Sequence, residues 1–207
     1  MKKLLALLLA VVTALGLAAC GGGNAATSAA GVAGNTSGAT TAASADALNV
    51  HIETEVASLD SAAATDGTSF EVIAAFTDGL YQMDADSNAV PALAEDCQVS
   101  EDGKTYTFKI RDDAYWSNGD PVTADDFVFA WQRACDPDFA SEYAYMVYEV
   151  GQIKNGYDVN SGKKKVEELG VTAKDEKTLV VELETPVSYF TSLMYFPTFY
   201  PVNRAFC

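Results

Sequence analysis

Histidine is almost missing from this chain of 207 residues: His51 is the only one. With no His or Cys partners at ligand spacing, zinc and nickel coordination has little to draw on. A Ser–His nucleophile could be built only through His51. Basic residues are also scarce. Thirteen Lys and Arg stand against 29 Asp and Glu, a formal net charge of −16. Nucleic-acid binding needs basic patches that release counterions, so a surface of this sign excludes nucleic acid as a partner. No G-x-S-x-G, P-loop or G-x-G-x-x-G occurs, and no internal repeat. Elbow-type hydrolysis and glycine-cradled nucleotide binding therefore lack support; neither an enzyme nor a cofactor is expected. What the chain does have is apolar residues, 49% hydrophobic and 11% aromatic. That is enough for a packed core and argues against wholesale disorder.

The first apolar run, Leu4 to Leu17, follows Lys2 and Lys3. It is too short and too abruptly ended for a comfortable transmembrane helix. It leads into Leu17-Ala18-Ala19-Cys20 and then three glycines. Small residues ahead of a Cys resemble the bacterial lipobox, where the thiol takes a diacylglycerol and the chain is cut before it. Residues 1–20 are expected to be a lipoprotein signal peptide, with Cys20 as the lipid attachment that ties the protein to a membrane. Residues 21–47 are almost all Gly, Ala, Ser, Thr and Asn with one charge, Asp46, and read as a flexible tether. Without the two lysines the balance is 11 basic against 29 acidic residues, a net of −18. The folded part begins near Leu48 and has roughly 160 residues.

Leu48 to Ile52 alternates as a first strand, with His51 as a structural residue within it, and Ser58 to Ser69 reads as a long polar loop. Val72, Ile73, Phe76 and Leu80 have helical spacing over 70–80, with Gly79 as terminator or packing point and a short strand at 80–83. Ser100-Glu101-Asp102-Gly103-Lys104 is a hairpin turn, with Gly103 supplying the positive φ. It feeds Thr105 to Arg111, where Tyr106, Phe108 and Ile110 share one face. Trp116 to Pro121 is a second turn. Thr123 caps a helix with Asp126 as its capping-box partner, and Asp136-Pro137 ends it. Further helices are predicted over 141–155 and 163–169, and a second hairpin over 171–174 and 178–183. The fold class is α/β, of mixed α+β character.

Asp84, Asp86, Asn88 and Glu95 match positions of a calcium loop, but Ala89 stands where that loop needs Gly and Pro91 interrupts it. A plain Asx-rich turn accounts for them. Asp112-Asp113 and Asp125-Asp126 are sequence neighbours whose side chains point apart, so they make poor acid/base dyads. Asp125 and Asp126 suit a first helical turn instead. Cys97, Cys135 and Cys207 remain after Cys20. Two of them could pair outside the cytoplasm, or Cys97 and Cys135 could be free buried thiols.

A series of motifs then runs in order. Ser58-Leu59-Asp60, Asp78-Gly79-Leu80 and Pro91-Ala92-Leu93-Ala94-Glu95 come first. The stretch from Ser100 to Arg111 and the run Trp116-Ser117-Asn118-Gly119-Asp120-Pro121-Val122-Thr123-Ala124-Asp125-Asp126-Phe127-Val128 follow, the latter with Trp131 and Arg133. Asp136-Pro137, Tyr143-Ala144, Leu169-Gly170-Val171 and Pro186 to Phe190 complete the set. Over nearly all of residues 48–207 this resembles the family 5 extracellular solute-binding proteins, the oligopeptide-binding proteins of ABC importers.

The resemblance implies the N-terminal part of a two-lobed periplasmic-binding-protein-like clamp with an extra small domain. Residues 48–78 would open lobe I, 79–203 would be the extra domain, and 204–207 would start the return to lobe I. Family members are usually more than twice as long. On that basis the aromatic run from Val187 to Cys207 is expected to mark a chain cut short rather than a final docked segment. The resemblance further implies a monomer outside the cytoplasm that binds peptide main chain and hands the peptide to an ABC permease. Thr65, Asp66, Gly67 and Thr68 fall where family members pair with the peptide backbone, and Tyr143 where an aromatic lines the cleft. Trp116, Asn118, Gly119, Asp120 and Trp131 read as turn, cap and core. Rival readings are a binder of dipeptides, nickel complexes or another small solute on the same scaffold, or a surface signalling receptor or adhesin.

Mass spectrometry of the membrane-extracted protein is expected to find an N-terminal diacylglyceryl Cys20. An unmodified amino terminus at another residue contradicts the lipobox.

Overall fold

The computed structural model describes residues 50–207, which form one compact unit. The expected signal peptide, Cys20 and the tether to residue 47 lie outside the described residues.

Helix α1 (Gly67–Ala74) comes first. A two-stranded hairpin follows, β1 (Tyr81–Met83) with β2 (Ala89–Pro91), closed by a turn in which the Asp84 carboxylate accepts the Asp86 and Asn88 N–H groups. The main sheet has the order β3-β4-β6-β5, built from β3 (Ala94–Val99), β4 (Thr105–Ile110), β5 (Val171–Asp175) and β6 (Thr178–Glu182). All its neighbours are antiparallel, and Phe108 sits opposite both Cys97 and Leu179. Gly103 has φ +69° in the β3–β4 turn, as the sequence requires.

The period-two pattern of β4 is realised. Tyr106, Phe108 and Ile110 are buried, joined by Leu179 and Val181 of β6 and Val171 of β5. Helix α2 (Ala124–Cys135) covers this face with Phe127, Ala130, Trp131 and Ala134. Its start is fixed by Asp126, whose Oδ2 accepts the Thr123 N–H at 2.8 Å and the Trp116 indole N–H at 3.0 Å. Asn118 and Asp120 bond within their turn, so the most visible motif does build turn, cap and core. The C-terminal aromatic run docks into the same core. Phe190, Met194 and Phe199 are fully buried, the Trp131 indole donates to the Phe199 carbonyl at 3.0 Å, and the Tyr106 hydroxyl donates to the Val187 carbonyl at 2.8 Å.

Four expected elements differ, one of them the helix expected over 163–169, of which only a single 3-10 turn (Val166–Glu168) forms. The predicted strand over 48–52 is not seen in its described part. Val50, His51 and Ile52 are exposed and pair with nothing among the described residues, and a strand without a ladder partner has no stabilisation. The predicted helix over 141–155 is broken into turns and a π-helical turn (Met146–Val150), and helix α3 (Gly156–Asn160) begins only beyond it. Left-handed Gln152 and Asn155 interrupt it, and Ile153 instead bridges to Leu183 at the sheet end. The helix predicted from residue 70 starts at Gly67 and stops at Ala74, leaving Phe76 exposed. Gly79 is a packing point: a Cβ there would collide with the Met194 carbonyl oxygen and come within 2.8 Å of the Tyr200 ring.

The opening segment is held to the α2 region by a bidentate pair. Arg133 donates to Asp60 Oδ1 at 2.7 Å and Oδ2 at 2.5 Å, and its guanidinium lies 4.0 Å from the Phe139 ring centroid. Both side chains are partly buried, and the Ala62 N–H also donates to Asp60. These hydrogen bonds, Arg133's first among them, hold the Asp60 carboxyl below the usual carboxylate range. A depressed folded-state value means that the stabilisation is complete above the unfolded pKa, near 4, and is lost as pH falls through the folded value.

Arg133→Ala is expected to cost about 1–3 kcal/mol in denaturant unfolding at neutral pH, between the cost of an exposed and a fully buried pair. The gap between the parent and Asp60→Asn should narrow as the medium is acidified below about pH 4. A gap constant across that window contradicts the linkage.

Candidate functional site

The segment from Thr65 to Thr68 is not wholly loop. Asp66, in extended conformation, is the N-cap of α1, and Gly67 and Thr68 already belong to its first turn. Asp66 Oδ1 accepts the Ser69 N–H at 2.8 Å, and Oδ2 accepts the Ser69 hydroxyl at 2.6 Å. The Ser69 contacts are the leading cause of a lowered Asp66 pKa, so Asp66 is a carboxylate at neutral pH. Ser69 is itself buried, and its oxygen accepts the N–H groups of Ala57 and Ser58 at 3.1 and 3.2 Å. The Thr54 and Thr68 hydroxyls meet at 2.7 Å. The chain before α1 is thereby strapped to the helix start.

This strap sets what the segment can do. Carbonyls in a first helical turn are committed to the helix, whereas the first N–H groups have no intrahelical acceptor. Ser69 spends its N–H on Asp66. Gly67 is exposed, and a Cβ there would meet nothing within 4 Å, so a ligand backbone can come close to its N–H. Thr65 is exposed just outside the cap, and Thr68 is half-buried.

Tyr143 lies far away in sequence but is brought to the same helix. Its ring packs edge-on against Phe70 of α1 at 5.2 Å between centroids, and against Phe196 at 5.5 Å and Tyr145 at 5.7 Å. Phe70 also touches Phe196 at 5.2 Å. Tyr143 is half-buried and Tyr145 exposed, so the cluster presents an aromatic wall rather than a closed core. The Ser141 hydroxyl donates to the Ala62 carbonyl at 2.6 Å, clamping the Tyr143 turn to the chain that leads into Thr65. Thus the five residues expected from the sequence share one neighbourhood, linked through Phe70. Sequence reasoning missed Ser69, Phe70 and Phe196. The Asp66-x-x-Ser69 spacing ahead of an apolar run was a legible cap signal for the first two; nothing local marked Phe196.

Among the described residues no group of three or more His, Cys, Asp or Glu is arranged to hold a metal ion. Cys97, Cys135 and Cys207 are free, and burial pushes the Cys135 thiol up to about 12, which makes it inert. No helix among the described residues is long and apolar enough to cross a membrane.

The first turn of α1 thus offers an exposed Gly67, and the Phe70 ring of the same helix packs on Tyr143. Comparison with known proteins identifies the family. Residues 88–206 match the family model "Bacterial extracellular solute-binding proteins, family 5 Middle". The chain belongs to this family, which is one of solute-binding proteins rather than enzymes. It is 41% identical over 196 residues to the oligopeptide-binding protein OppA of Bacillus subtilis, a match covering 95% of this chain and 34% of that protein. The substrate-binding domain of an oligopeptide ABC transporter from Bacillus anthracis is 50% identical and superposes with a TM-score of 0.71, over 73% of this chain and 29% of that one. Listeria monocytogenes OppA bound to peptide is 47% identical with a TM-score of 0.69, over 72% and 29% of the two chains. The chain therefore spans about a third of the length of the relatives it matches, and the mixed α/β fold is that of the OppA-type binding proteins.

Asp66→Ala is expected to fray the first turn of α1. Hydrogen exchange should show the Ser69 amide losing protection while the β4–β6 ladder keeps its own; unchanged protection at Ser69 contradicts the cap's role.

Proposed function

We propose that the protein captures peptides outside the cytoplasm and delivers them to the permease of an ABC importer. The observation that carries this reading is the exposed first turn of α1, with Thr65 to Thr68 at its start and its Phe70 packed on the Tyr143 ring, in a chain of a solute-binding family whose relatives include oligopeptide-binding proteins. Extended peptides expose a carbonyl and an N–H at each residue whatever their side chains, so main-chain pairing gives affinity without sequence choice. The free N–H of Gly67 serves a peptide carbonyl, Thr65 supplies a neighbouring contact, and Tyr143 covers the peptide with its ring face. Asp66 orders this first turn and biases it against anionic ligands. Capture involves no covalent step; closure of a hinged clamp around the peptide is the mechanism. The protein acts as a monomer, and the diacylated Cys20 keeps it at the outer face of the cell membrane, with residues 21–47 as the tether.

Gly67→Pro isolates the main-chain contact. Proline suits the first position of a helix, and the extended Asp66 before it is compatible, so the fold is kept while one N–H is deleted. Calorimetry on the complete protein is expected to show peptide affinity reduced roughly five- to tenfold, the worth of one well-made hydrogen bond, with the melting temperature maintained. Full affinity in the proline variant contradicts the proposed contact. Tyr143→Ala should weaken binding by a similar factor, and Tyr143→Phe should restore most of it.

A further inference from the structure

A cavity of about 490 Å³ opens beside the aromatic wall and shares Phe70 and Phe196 with it. Nothing in the peptide-capture reading uses it. One side is the α1 face formed by Phe70, Glu71 and Ala74; the opposite side is Tyr195, Phe196, Pro197 and Tyr200, with Met83 and Gln82 of β1 at the edge. The walls are therefore mainly apolar and aromatic. Two carboxylates, Glu71 and Asp78, stand at the cavity, and no Lys, Arg or His lines it. Neither acid takes part in an ion pair among the described residues, although Arg111, paired with Asp113, is near enough to Asp78 to feel its charge. The Tyr200 phenol is pushed up to about 12, by burial first and by Asp78 second, so it stays neutral and brings no third negative charge.

The chemistry of such a cavity selects its occupant. A long aliphatic stem gains from contact with Phe196, Pro197 and Met83, and a cation at its tip is drawn both by two unpaired carboxylates and by aromatic faces. A neutral aliphatic side chain uses only the walls, and an acidic one is repelled.

We infer that this cavity is a side-chain subsite for a lysine or arginine of the bound peptide, its stem lying on the aromatic wall and its charge facing Glu71 and Asp78. The inference rests on the peptide-capture reading and adds a preference to it: main-chain pairing admits any peptide, and this pocket favours cationic ones at one position.

The test is calorimetry on the complete protein with a set of alanine-based peptides of one length, in which each position in turn carries lysine, norleucine or glutamate. At one position lysine should bind roughly three- to tenfold more tightly than norleucine, the sum of modest partly exposed charge and cation–π attractions, with glutamate weakest. The double variant Glu71→Gln/Asp78→Asn should bring the lysine-to-norleucine ratio close to one. Both acids are exposed, so the substitutions spare the core. Peptides that bind with no lysine advantage at any position, or an advantage that survives the double variant, overturn the subsite alone. Failure of every peptide to bind overturns peptide capture and the subsite together.

Discussion

The grip of Arg133 on Asp60 holds two stretches of chain that are more than seventy residues apart, and the candidate site exists only where they meet. Everything C-terminal to residue 80 has its own sheet and helix core. The segment before it has little: exposed Val50, Ile52 and Leu59, one eight-residue helix, and Ala64 and Ile73, which cluster only with Tyr200 from the C-terminal part. Such a segment cannot offset its ordering entropy alone. It is held by the guanidinium fork, by Ser141 on the Ala62 carbonyl, and by Phe70 against Tyr143 and Phe196. The same contacts that anchor it seat Phe70 of α1 on the Tyr143 ring, so anchoring the segment and assembling the candidate site are a single event. A fork suits this task because two parallel bonds fix orientation as well as distance.

Much of this architecture was legible from local pattern. Alternating Tyr106, Phe108 and Ile110 named a half-buried strand, Thr123 and Asp126 named a helix start, and Gly103 named a hairpin turn, because each signal is written within a few residues. The failures share a cause. The 48–52 pattern looked like a strand, but strand formation depends on a partner that no local window reveals. The 141–155 stretch looked helical, yet Ile153 gained more by bridging Leu183, and the backbone turned left-handed at Gln152 and Asn155 to allow it. The aromatic run near Phe190 and Phe199 packs against Trp131 and Tyr106, through contacts at separations of 68 and 81 residues that only the fold discloses. For the candidate site, the resemblance named residues without their organisation. The cap role of Asp66 was readable, whereas the Phe70–Phe196 link was not.

Several carboxylates among the described residues work locally, on the backbone around them. The carboxylates with depressed pKa values accept hydrogen bonds at turns, caps and the fork: Asp60, Asp66, Asp84 and Asp102 each receive N–H groups of nearby residues. That is the pattern of acids spent on holding backbone in place. Glu71 and Asp78, which take part in no ion pair among the described residues, stand apart from that pattern.

Peptide-dependent hydrogen–deuterium exchange on the complete protein tests the central claim, that the joined edge of residues 65–70 and 141–145 is where ligand sits. The account predicts that added peptide slows exchange at these two stretches together, with little change at the β1–β2 turn or the β3–β4 hairpin. Protection confined to other regions, with both stretches unaffected at saturating peptide, would contradict it.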